Sequence, residues 1–305
     1  MKKIILVVIL IVQTINGYCG GSNTGASFLK ISPGARPSGM GGAYNALSGD
    51  INSIYYNPAG LASILNSQFG AMHTEWIDDI RYEFAAGALG MREGVFGVSA
   101  TLLTMGELEG RTATGELSDD FRAYDFALQC SYGKSLGDKR LAGISLKYIR
   151  QSIEEEIANG VAVDLGLQQK LTNNLNLGLS LRNLGPNMKF IEESYNLPLS
   201  MGLGAGLNFG GVTLALDTNY EIIDRNMELS FGTEYAPIRF IALRGGYLIS
   251  ALKNTSNNNM GEVFKTKDGL SGGMGIRVLN YSLDYAVVPY SDLGTTQRLS
   301  FLIGF

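Results

Sequence analysis

The chain has 305 residues, a formal net charge of −4, 40 Gly, 15 Tyr, one His and two Cys. Apolar residues make up 45% and charged residues only 17%, against about 25% charged in ordinary water-soluble domains. These numbers argue against a disordered chain, a basic nucleic-acid footprint and a disulfide framework, and the single histidine makes a His-rich metal centre or a Ser-His-Asp triad a poor bet. They suit a sheet protein whose solvent is not only water.

Residues 1–21 read as an export signal. Lys2 and Lys3 form a basic start, Ile4 to Val12 is an unbroken apolar run, and the chain then turns small and polar up to Gly21. The run is too short to span a bilayer as a helix. Cys19 follows Tyr18 where a lipoprotein signal wants a small residue, so cleavage between Gly17 and Gly21 is favoured over lipidation.

Residues 22–66 lack the alternation of membrane strands. Gly39, Gly41 and Gly42 beside Ala43 and Ala46 allow a short helix to pack closely, and Asn57-Pro58-Ala59-Gly60 is a turn with Pro58 placed to open a helix. The segment is small, apolar and poor in charge. It is expected to fold back as a hatch inside the barrel, in preference to lying beneath it. Arg36 is its notable charge and needs a partner if buried; Asp125, Asp164, Asp217 and Glu228 are the expected wall partners.

From residue 67 to 305 the sequence alternates with period two. Val161, Val163, Leu165 and Leu167 oppose Ala162, Asp164, Gly166 and Gln168; Leu175, Leu177, Leu179 and Leu181 oppose Asn176, Gly178, Ser180 and Arg182. Fourteen strands are predicted, at 69–77, 81–90, 94–104, 121–132, 140–151, 159–169, 174–182, 198–209, 211–220, 226–235, 238–249, 270–279, 281–288 and 296–305. Each is long enough to cross a bilayer at a tilt, and the number is even, as is usual for closed outer-membrane barrels. A sheet in lipid must close because an open edge finds no hydrogen-bond partner there.

The connections alternate as well. Those at 91–93, 133–139, 170–173, 210, 236–237 and 280 are short and carry basic residues such as Arg92 and Lys134. Those at 105–120, 152–158, 183–197, 250–269 and 289–295 are mostly longer and more acidic. Short periplasmic turns with long external loops are the pattern of outer-membrane barrels. The last strand, with Leu299, Phe301, Ile303 and Phe305 on one side, resembles their closing strand. The fold expected is therefore all-β: a 14-stranded antiparallel transmembrane β-barrel of the outer membrane with an N-terminal hatch. Inward polar residues Asp125, Asp164, Arg182, Asp217, Glu228 and Arg244 are expected to form lumen networks. His73 with Glu75, Asp78 and Asp79 is a weak candidate for a metal, and Glu154-Glu155-Glu156 reads as a solvated loop.

Phe28-Leu29-Lys30-Ile31, Gly34-Ala35-Arg36, Gly39-Met40-Gly41-Gly42-Ala43 and Tyr56-Asn57-Pro58-Ala59-Gly60-Leu61-Ala62 together resemble the N-terminal signature of the PorV/PorQ family of outer-membrane proteins. Leu243-Arg244-Gly245-Gly246-Tyr247 and Gly269-Leu270-Ser271-Gly272-Gly273-Met274-Gly275 extend the likeness, while Ser32-Pro33 departs from the family's usual Gly-x pair. That family is similar to the long-chain fatty-acid transporter (FadL-type) barrels. The resemblance implies a 14-stranded barrel with a hatch, in which Asn57, Pro58 and Gly60 shape or gate the plug. It implies two roles: a component or scaffold of type IX-like secretion with an exported-protein partner, or, alternatively, a passive transporter of hydrophobic molecules. The expected partners are outer-membrane lipids, a secretion protein or a hydrophobic ligand. No enzyme activity, cofactor or metal is expected, because a nucleophile with its base is not evident.

Overall fold

The computed structural model describes residues 24–76, 80–111, 114, 117–251, 269–289 and 294–305. The expected export signal at 1–21, Asp78 and Asp79, and most of the 250–269 loop lie outside the described residues.

Eighteen strands follow one another in the described residues. They are β1 (Gln68–Glu75), β2 (Arg81–Met91), β3 (Gly94–Thr104), β4 (Leu108–Arg111), β5 (Leu117–Phe121), β6 (Ala123–Ser135), β7 (Arg140–Ile153), β8 (Glu156–Lys170) and β9 (Leu175–Leu184). After these come β10 (Met188–Phe190), β11 (Glu193–Tyr195), β12 (Ser200–Phe209), β13 (Val212–Glu221), β14 (Asn226–Ile238), β15 (Ile241–Ala251), β16 (Leu270–Val278), β17 (Tyr281–Pro289) and β18 (Thr295–Gly304). Fourteen of them close into one antiparallel barrel, in which β18 pairs with β1 from Gln68↔Gly304 to Glu75↔Gln297. The other four form the hairpins β4–β5 and β10–β11 within two long connections. Neither hairpin was legible in the sequence, since three to five residues are too few to show alternation.

The side chains sort by parity, as the pleat requires. On β8, Val161, Leu165 and Leu167 are 42–51% exposed on the outer face, while Ala162, Asp164 and Gln168 are at most 6% exposed inside. Cys130 is a free thiol on the outer face of β6. One expected loop is corrected. Residues 152–158 do not form a long connection: β7 and β8 run on to pair Ile153 with Glu156, and Glu154 takes a positive φ of 56° in the tight turn. Three consecutive glutamates mimic a loop in sequence, but at a hairpin tip they need only solvent.

The β8–β9 seam is irregular. Pairing runs from Lys170↔Asn176 to Val163↔Leu184 with a register shift between Val163 and Leu165. Above it, no β9 partner for residues 156–162 of β8 is found among the described residues. There Met188 of β10, 2% exposed, packs on Gly160, and Gly185 lies against Val161.

Residues 24–66 contain a 3₁₀ turn at Ser27–Lys30, a helix at Ala35–Gly39, a helical turn at Ser53–Tyr56 and a 3₁₀ stretch at Pro58–Ser63. They contribute much of the buried core, including Phe28, Met40, Tyr44, Ile54 and Leu61. Their neighbours are inward-facing wall residues. Gly39 meets Gly273, Gly41 approaches Tyr247, and a Cβ on Gly143 or Gly166 would overlap Pro58 or Asn57. Wall glycines remove side chains where this segment presses closest. The segment starts at the loop end, where Thr24 bridges Asn196, and leaves at the turn end to enter β1.

Candidate functional site

Arg36 sits on the short Ala35–Gly39 helix and finds its partners from two directions. Its Nε and Nη2 donate to Glu234 of β14 at 2.8 and 2.7 Å, a two-pronged pairing that the planar guanidinium favours. Its Nη1 donates to Asp50 Oδ2 at 2.8 Å and to Tyr44 Oη at 2.9 Å. Glu234 also accepts from Arg244 of β15 at 2.7 Å, and Arg244 donates to Asp284 of β17 at 2.7 Å. The result is one charged chain, Asp50–Arg36–Glu234–Arg244–Asp284, running from the N-terminal segment across three wall strands. Burial works against the Arg36 charge, but Tyr44, Glu234 and Asp50 overcome it and raise its pKa. Burial likewise lifts the Tyr44 hydroxyl well above the ordinary tyrosine range, so it stays a donor to Asp50 at 2.5 Å.

This corrects the expected partners of Arg36. Asp125 accepts instead from Gln151 at 2.9 Å. Asp164 pairs with Lys147 at 2.7 Å and accepts from the Asn183 amide at 2.7 Å, tying the β8–β9 irregularity together. Asp217 accepts from the Tyr44 and Asn45 amides at 2.7 and 2.6 Å. Glu228 accepts a long bond, 3.5 Å, from Asn219. All the wall carboxylates look alike in sequence, and only the barrel's curvature and the segment's path select Glu234. Glu234, Asp50, Tyr44 and Lys147 were missed; inward parity in a strand flags Glu234 and Lys147, but nothing local flags Asp50.

Asn57 does more than make a turn. Its Oδ1 caps the 3₁₀ stretch by accepting from Ala59 N at 3.1 Å. Its Nδ2 lies 2.9 Å from Asn45 O, 3.2 Å from Leu167 O of β8 and 3.3 Å from Leu179 O of β9. Pro58 stands at the first position of that stretch, as the sequence suggested. Gly60 is hemmed by Ser53, and Gly41 adopts φ +65° beside the β15 backbone, where a side chain would be strained and crowded; Gly42 (φ +82°) continues that turn. Further pins are Gln129 to Ile54 O at 2.6 Å, Gln168 to Asn45 O and Leu47 O at 3.0 Å, and Arg298 to Ser38 Oγ at 2.7 Å.

Between the segment and the β9–β17 wall lies a cavity of about 420 Å³. Tyr55 and Leu29 come from the segment, and Arg182, Asp217, Glu228 and Leu248 from the wall. Pro198, Ser250 and Pro289 place its rim at the loop end. Lys30 at its edge bonds Asp224 at 2.6 Å and Glu221 at 3.1 Å; burial opposes its charge, but these carboxylates raise its pKa above 10.5. His73 stands apart on the outer face of β1, with Nδ1 2.6 Å from Glu83 Oε1. No group of three metal-ligating side chains occurs among the described residues.

A closed 14-stranded antiparallel barrel, apolar outside and polar within, has the architecture of outer-membrane channels. The chain belongs to the uncharacterised protein family UPF0164, whose model matches residues 20–261. Its fold is similar to that of the Pseudomonas putida toluene transporter TodX, with a TM-score of 0.63 at 14% identity over 89% of this chain and 97% of that one. The CymD monoaromatic hydrocarbon channel gives 0.65 at 14% identity over 89% and 97%. A Pseudomonas aeruginosa FadL homologue gives 0.62 at 11% identity over 90% and 99%. No curated protein matches the chain.

Proposed function

We propose that this protein resides in the outer membrane and passes small apolar or amphipathic molecules passively, with residues 24–66 acting as a hatch. The observation that carries the reading is the 420 Å³ cavity: it lies between the N-terminal segment and the wall, with its rim at the loop end. The segment is held by apolar packing and side-chain hydrogen bonds, and apart from the Thr24–Asn196 bridge no strand pairing to the barrel is found among the described residues. The β8–β9 irregularity, closed by Lys147–Asp164 and covered by Met188, is the place where a molecule would leave the lumen sideways into lipid. The neighbouring folds belong to channels whose names specify toluene or monoaromatic hydrocarbons, which favours this reading over a secretion scaffold.

The test is uptake of radiolabelled toluene and 1-octanol by cells whose outer membrane carries the protein, against cells that lack it. A Gly39→Cys/Gly273→Cys pair, placed where the segment meets β16, locks the hatch under oxidising conditions. Faster uptake that falls on oxidation and recovers on reduction is expected. Equal uptake with and without the protein refutes the reading. Co-purification with an exported protein at fixed stoichiometry, without any uptake, would favour the scaffold role instead.

A further inference from the structure

The two ends of the barrel differ in charge. At the loop end the hairpin tips are acidic, with Glu154, Glu155 and Glu156 at one and Glu192 and Glu193 at another, all exposed. At the turn end the exposed charges are mostly basic. Arg239 and Arg277 stand singly near their turns, but Lys134, Lys139, Arg140 and Lys170 gather where β6, β7 and β8 meet their turns. Lys134 reaches Glu93 only at 3.8 Å, and no ion pair is found for Lys139, Arg140 or Lys170 among the described residues. The same end carries apolar tips: Leu136, Leu171, Phe209, Phe240 and Leu279 are 47–86% exposed. Large apolar side chains standing in water are costly, so these tips fit the boundary between lipid headgroups and acyl chains.

Strand parity decides which of the four cations face lipid. On β6, Lys134 shares the outer face with Leu128 and Leu136. On β7, Arg140 shares it with Ile144 and Leu146, which are 51% and 59% exposed. Lys134 lies opposite Ala142, and the Leu136 amide donates to Arg140 O at 2.8 Å, so Lys134 and Arg140 are diagonal neighbours on that face. Arg140 Nε donates to Gln169 Oε1 of β8 at 3.0 Å, which orients the guanidinium and leaves its Nη groups available. Towards the bilayer centre the face turns apolar at once: Ala142 is paired with Leu167 and Ile144 with Leu165. Long basic side chains lay their stems along such a surface and carry the charge to the headgroup layer. A phosphate above acyl chains matches two cations above an apolar stripe, and the guanidinium fork suits phosphate oxygens. A zwitterionic head sets its own ammonium against the basic cluster, which disfavours it.

We propose that Lys134 and Arg140, with Lys139 and Lys170 beside them, bind the phosphate of an anionic phospholipid such as phosphatidylglycerol in the periplasmic leaflet, its acyl chain lying along Ile144 and Leu146. This rests on the outer-membrane residence argued above and not on what passes through the lumen.

The experiment is native mass spectrometry of the full-length protein in detergent, titrated with phosphatidylglycerol or phosphatidylethanolamine of matched chains. Phosphatidylglycerol is expected to bind tighter, by about fivefold for each cation that meets the phosphate and so about 25-fold for two. Lys134→Gln with Arg140→Gln should bring the two lipids to within about threefold of each other. Arg239→Gln with Arg277→Gln removes the same charge from other turns and should keep most of the preference. Lys134→Arg with Arg140→Lys keeps both charges and should keep it too. All four positions are exposed, and heat-modifiable migration on gels checks that each barrel is intact. Equal binding of the two lipids by the wild type overturns the proposal. So does an equal loss in the two Gln pairs, because the preference then belongs to a diffuse charge ring and not to a site. Toluene uptake is a separate readout: a protein that prefers phosphatidylglycerol but passes no toluene sinks the passage reading alone, and the reverse result sinks this proposal alone.

Discussion

Removing Arg36 should open the N-terminal segment without unfolding the barrel. The Arg36 side chain is 18% exposed, Glu234 10% and Asp50 12%, so both pairs are largely out of water. Arg36→Ala leaves three carboxylates, Asp50, Glu234 and Asp284, facing Arg244 alone, and deprives Tyr44 of an ion neighbour. Breaking a buried pair costs about 3–5 kcal/mol. The lower end applies here, because Arg244 still holds Glu234 and Tyr44 still bonds Asp50. A loss of about 3 kcal/mol raises the undocked population about 10²-fold, since 1.4 kcal/mol is a factor of ten. Tyr44, Tyr55 and Tyr56, at 0%, 8% and 5% exposure, are then the reporters. Chymotrypsin cleavage at them tracks the open population when closing is fast, and heat-modifiable migration on gels reports the intact barrel. Arg36→Lys keeps the charge but loses the fork and should fall between the two. An intact Arg36→Ala barrel cleaved at the wild-type rate would refute the claim that this ionic chain holds the segment.

Three further outcomes follow from the same geometry. Asn57→Ala removes the bonds to Asn45 O, Leu167 O and Leu179 O and the cap on Ala59, at a cost of about 1–3 kcal/mol; amide exchange at residues 57–63 should quicken while the wall stays protected. Gly143→Ala forces a methyl into the Pro58 backbone and should cost about 1–3 kcal/mol of docking, whereas Gly87→Ala, with nothing within 4 Å, should change stability by less than about 0.5 kcal/mol. The Lys30 pairing, whose folded pKa is raised, stabilises fully below the unfolded value of 10.5 and is lost as pH rises through the folded pKa. Proteolysis of the segment should therefore increase above pH 10.5 in the wild type, and Lys30→Met should show no such alkaline step.

The period-two pattern alone determined the wall. It predicted fourteen strands within a few residues of β1–β3, β6–β9 and β12–β18, because a strand between lipid and lumen must alternate whatever its neighbours do. The same parity placed Arg182, Arg244, Asp164 and Asp217 inside. Local chemistry also showed Pro58 opening a helical turn capped by Asn57, and small residues near Gly39 permitting close packing. Partnership was another matter. Arg36 and Glu234 are 198 residues apart, Asn57 reaches β8 and β9, and Asp164 turns to Lys147. Such pairs depend on how the barrel curves and on which wall glycines admit the segment, and neither leaves a local trace.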